Sequence, residues 1–71
     1  MRYGIVVEKG KASYGAYVPD LPGCVAVGKT RAETLALIKE AIELHLADLR
    51  EQGQRPPRPV ATVEYIDVLA A

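Results

Sequence analysis

Gly23-Cys24-Val25-Ala26-Val27-Gly28-Lys29-Thr30 carries the spacing G-x-x-x-x-G-K-[ST] of a phosphate-binding P-loop. In a working P-loop, consecutive backbone amides wrap the phosphates, so the four variable positions must accept turn and left-handed conformations. Here they include Val25 and Val27, whose β-branching at alternate positions favours an extended strand. P-loop enzymes also lay parallel strands between helices, each βαβ unit taking ~30 residues, and this chain has room for one helix after the motif. The nearest approach to an apolar strand ending in a Mg²⁺-binding aspartate is Tyr65-Ile66-Asp67. The spacing is therefore read as a turn glycine, a short strand and a helix cap, with Lys29 a solvated charge.

Three other groups could do chemistry. His45 is the only histidine, and no nucleophile or orienting partner stands at a recognisable spacing from it. It reads as a helix-edge imidazole beside the apolar stripe. Cys24 is the only cysteine; following Gly23 at the start of a strand, it reads as a small semi-buried hydrophobe rather than a nucleophile. Glu33, Glu40, Glu43, Asp48 and Glu51 could in principle assemble a two-metal site. All fall on one helix among basic residues, the pattern of a solvated face. No catalytic residue, cofactor site or metal site is assigned, and the chain is not read as an enzyme.

The elements that would hold these residues follow from periodicity. Tyr3, Ile5 and Val7 alternate with Gly4, Val6 and Glu8, a first strand with one apolar face. Lys9-Gly10-Lys11 turns the chain into a second strand, Ser13 to Val18, giving an antiparallel hairpin. Pro19 and Pro22 exclude a central strand, and Asp20-Leu21-Pro22-Gly23 reads as a tight turn. Cys24 to Val27 suits a third strand. Thr30-Arg31-Ala32-Glu33 is a capping box opening a helix of roughly 20 residues, about 30 Å long. Leu35, Ile38, Ala41, Ile42 and Leu49 form its stripe, which Leu37, Leu44 and Leu46 widen. Gly53 stands where a left-handed C-terminal residue belongs, and Arg50 suits the negative end of the helix dipole. Arg55-Pro56-Pro57-Arg58-Pro59 is a stiff connector, and Val60 to Leu69 alternates again as a fourth strand. The order β-β-β-α-β predicts one α+β domain over residues 1–71.

Seventy-one residues support a marginal core, since so short a chain buries only about 60% of its unfolded surface. With one cysteine and no metal cluster, self-association is the expected reinforcement. Nine basic and nine acidic residues leave no net charge, against the basic excess of a nucleic-acid binder. No apolar run approaches the ~20 residues of a membrane span, and the N-terminus lacks a signal-peptide core. These features place the chain in the cytoplasm, where a lone thiol fits.

Tyr14 to Thr30, above all Val18-Pro19-Asp20-Leu21-Pro22-Gly23-Cys24 with Gly28 and Thr30, followed by the capped helix and the Pro-rich connector, resembles the HicB-type antitoxin family over nearly the whole chain. The resemblance implies a partial ribonuclease-H-like fold: a three-stranded antiparallel sheet and a fourth strand packed on one helix. It implies no enzymatic activity. It implies binding to a small mRNA-cleaving HicA-type toxin, whose active region the antitoxin covers, in oligomeric complexes, here a dimer or tetramer. Many members continue into a DNA-binding domain; this sequence stops at Ala71, so no direct DNA binding is expected. Lys29 stands where the family often has Asp, and Glu33, after Ala32, is what remains of its usual acidic pair early in the helix. Tyr17, Asp20, Leu21 and Pro22 are the candidate partner contacts. The alternative is a solitary homo-oligomeric domain serving as a structural or small-ligand-binding module.

Overall fold

The computed structural model describes residues 1–70. Three strands precede one helix: β1 (Val6–Lys9), β2 (Tyr14–Tyr17), β3 (Val25–Gly28) and α1 (Arg31–Glu51). The sheet is antiparallel in the order β1-β2-β3, so the chain is α+β. β1 and β2 are shorter than their sequence patterns, and β3 is shifted by one residue toward the C-terminus. The register pairs Val6 with Tyr17, which would place Gly4 opposite Pro19. Proline has no amide to donate, so the ladder stops and Tyr3 to Ile5 lie outside β1.

Between β2 and β3 two tight turns are stacked. Leu21 N donates to Val18 O (3.0 Å) and Cys24 N to Leu21 O (3.0 Å), while Val18 N donates to Cys24 O (3.2 Å). Gly23 takes φ +84°, a left-handed conformation that a residue with a Cβ resists. Folding the loop back this way drives Leu21 inward, where it is fully buried beside Val18 and Cys24.

Thr30 caps α1 as the sequence predicts, its hydroxyl accepting from Glu33 N at 3.0 Å. At the other end Gly53 (φ +74°) donates to Arg50 O at 3.0 Å and Gln54 N to Leu49 O at 2.9 Å, the paired bonds of a Schellman cap. The helix packs on β2 and β3 through Thr34 and Ile38, with Ala41, Ile42 and Leu46 against the same core. Leu35 and Leu49, expected in the stripe, are half-buried at its edges. Thr34 tolerates full burial because its hydroxyl donates to Thr30 O at 2.7 Å. The core proper is Ala16, Val18, Leu21, Cys24 and Ile38.

The fourth strand expected over Val60–Leu69 is not formed: residues 54–70 carry neither strand nor helix. The segment returns past the N-terminus, where Tyr3 Oη donates to Pro57 O at 2.6 Å and Ala61 lies against Gly4. The amides of Val60 and Ala61 donate to Asp20 Oδ2, at 3.1 and 3.0 Å, instead of to a neighbouring strand. With β1 beginning only at Val6, the segment meets no extended ladder there.

Candidate partner-binding surface

Lys29 sits at the end of β3, exposed. The P-loop spacing is accounted for piece by piece. Val25 to Gly28 are strand residues paired with β2, so their backbone follows a ladder and cannot curl round a phosphate. Gly28 is required by the helix: a Cβ there would fall 2.7 Å from Thr34 Oγ1 and 3.0 Å from Thr34 N. Gly23 belongs to the turn and Thr30 to the cap.

Cys24 is buried, and that burial pushes its thiol above its ordinary range, so it holds its proton and is a poor nucleophile. His45 is half-buried in a shallow depression with Leu44, Ala47, Asp48 and Glu51, a setting without a nucleophile. The helix carboxylates Glu33, Glu40, Glu43, Asp48 and Glu51 are all exposed. Among the described residues no group of three His, Cys, Asp or Glu side chains is placed to hold a metal ion. Among them, too, no helix is long and apolar enough to cross a membrane.

The four candidate contact residues separate. Tyr17 and Pro22 are exposed. Asp20 is half-buried and holds the C-terminal segment through Val60 and Ala61. Leu21 is in the core, a correction to its expected exposure, because the stacked turns point it inward.

The sheet face turned away from α1 supplies what periodicity missed. Pairing of Val6 with Tyr17 and of Tyr17 with Val25 sets these three in one row across that face. Val27, opposite Gly15, extends it. Val25 and Val27 are 62% and 66% exposed, so the edge strand shows two bare valines. The alternating β-branched Val25 and Val27 marked a strand, but not that the face carrying them would be left uncovered. A second apolar surface is the C-terminal segment, where Tyr65, Ile66, Val68 and Leu69 are all strongly exposed. Exposed apolar patches on a chain this small mark contact surfaces.

Residues 3–69 match the family described as HicB-like antitoxin of bacterial toxin–antitoxin systems. The chain belongs to that family. Among relatives of this HicB-like chain, a UPF0150 protein of Helicobacter pylori is 53% identical over 49 residues, covering 69% of this chain and 68% of that protein. A UPF0150 protein of Thermoplasma acidophilum is 39% identical over 59 residues, covering 82% of this chain and 86% of that one. A 14.9 kDa protein of Haemophilus phage HP1, from its rep–hol intergenic region, is 36% identical over 67 residues, or 94% of this chain. The HicB-like chain spans only half the length of the phage protein. Family membership thus points to an antitoxin's role in a toxin–antitoxin system.

Proposed function

We propose that this chain is a cytoplasmic antitoxin that neutralises a small, mRNA-cleaving HicA-type toxin by binding it, without enzymatic activity of its own. The observation that carries this is the family match over residues 3–69. The surface chemistry is consistent with it: apolar side chains stand exposed on the outer sheet face and the C-terminal segment, and the one thiol, Cys24, is buried and holds its proton. The chain acts as one HicB-like domain and as a homo-oligomer, a dimer or tetramer. Tyr17 and Pro22 are the exposed members of its toxin-contact set, with Asp20 shaping the same loop. Its completed fold is partial ribonuclease-H-like, with Val60–Leu69 as the fourth strand.

Co-expression tests this. A small basic protein encoded beside this chain is expected, its induction is expected to arrest growth, and supplying this chain is expected to restore it. The purified pair should co-elute, and the toxin's cleavage of a messenger RNA should stop at one equivalent of this chain. A neighbouring protein that is harmless, or that is neither bound nor inhibited, overturns the proposal. The exposed C-terminal segment favours one second reading, a solitary homo-oligomer with no toxin, which predicts self-association together with no rescue.

A further inference from the structure

The C-terminal arm Thr62–Leu69 has the composition of a strand and none of its hydrogen bonds. Its residues alternate, yet both faces are apolar: Val63, Tyr65 and Leu69 on one, Ile66 and Val68 on the other. All five are exposed, Tyr65 at 93% and Leu69 at 101%. Its base is fixed to the body at Asp20 and Gly4. Val63 also lies against Gly4 and Thr62–Tyr65 line a cavity with Arg2–Ile5, and from Ile66 onward the apolar side chains stand in solvent. The molecule is consequently long. Its radius of gyration is 14.1 Å, against about 11 Å for a compact chain of this length. Its longest axis is 51 Å, where a 21-residue helix accounts for about 31 Å.

The sheet offers the complementary feature. β3 is an edge strand, and its sequence Val25-Ala26-Val27-Gly28 contains no charge, proline or bulge to discourage pairing. The opposite edge ends in Glu8 and Lys9, and its N-terminal flank already meets the base of the chain's own arm. Charge suits β3 as well. The arm carries Glu64 and Asp67 and no basic residue, while β3 runs into Lys29 and Arg31. An eight-residue strand spans ~27 Å, enough to cover all of β3 and overhang it.

We propose that the arm Thr62–Leu69 of one copy adds as a strand to the β3 edge of a second copy, and that the second copy's arm does the same in return. This rests on the homo-oligomeric reading above and specifies its interface. Reciprocal exchange closes on itself about a two-fold axis, so the open edge is consumed instead of propagating a fibre. It sets arm side chains beside Val25 and Val27 on the same sheet face. The fourth strand is then supplied in trans.

Sedimentation and amide hydrogen exchange on the intact chain test the proposal, beside an arm variant (Ile66→Lys with Val68→Lys) and an edge variant (Val25→Lys with Val27→Lys). All four side chains are exposed in the single copy, so each variant is expected to keep its helix content by circular dichroism. The intact chain is expected to be a dimer with slowed exchange at 25–28 and 62–69, and each variant to dissociate at least tenfold more readily. A dimer that persists in both variants, or whose arm exchanges freely, overturns this interface and leaves homo-oligomerisation standing. A monomer overturns both; if its arm amides are slowed, the arm pairs within its own sheet.

Discussion

Gly28 and Lys29 are neighbours with opposite weights. A Cβ at Gly28 would press on the Thr34 hydroxyl and amide, where helix and strand approach most closely. Gly28→Ala is therefore expected to cost about 1–3 kcal/mol, the range for overpacking a tight contact. Lys29→Ala, at an exposed position, should stay within about 0.5 kcal/mol of the parent. Urea denaturation of the two variants checks both. A larger loss at Lys29 would mean that the lysine has a structural partner. The turn glycine, Gly23, was legible because Pro19-Asp20-Leu21-Pro22-Gly23 can only be a turn. The reason for Gly28 was not, since it depends on a residue six positions on, folded back over it. Leu21 shows the limit from the other side. Loops run over surfaces as a rule, which makes an apolar residue between prolines look exposed. Two successive turns bury it instead.

Among the elements, α1 was the most legible because it is specified locally at both ends. Thr30 accepts from Glu33 and Gly53 closes the last turn, each within a few residues of its partner. Thr30→Ala is expected to lower stability by about 1 kcal/mol, read as a reduced urea midpoint at unchanged slope. No change would mean that packing alone holds the first turn. Thr34 was missed at the same level, because a pattern that counts apolar residues passes over a threonine satisfied by Thr30 O. The strands were found but displaced by one to three residues. Their true ends depend on which residue stands opposite, as with Gly4 facing the proline. Val60–Leu69 extends this to a whole element. Alternation says which residues share a face, and says nothing of which strand will pair with them.

For the whole molecule, the buried core consists of five small or medium side chains, and much apolar area is left on the arm and on the outer sheet face. On the homo-oligomeric reading proposed above the chain gains stability by associating, and association ties stability to concentration. Raising the protein concentration a hundredfold is expected to raise the melting temperature by roughly 5–10 °C. The same series without residues 62–71 should be flat. A melting temperature independent of concentration in the full chain would show that the single copy is stable by itself. The exposed valines of β3 and the apolar arm lie far apart in the sequence, on either side of the helix. Nothing in their local patterns announced that both would be left uncovered.

By itself the sequence determined the α+β order of three strands and a helix, the turn at Asp20–Gly23, the helix caps and membership of the HicB-like family. Each of these rests on residues close together in the chain, where backbone preference and side-chain periodicity act directly. Only the tertiary structure decided that Leu21 is core, that Asp20 ties down the C-terminal segment, that Gly28 makes room for Thr34, and that the last apolar segment stands without a ladder. Those outcomes depend on which distant surfaces meet: how the helix crosses the sheet, which edge stays open, and where the returning chain runs. Local propensity carries no information about such meetings.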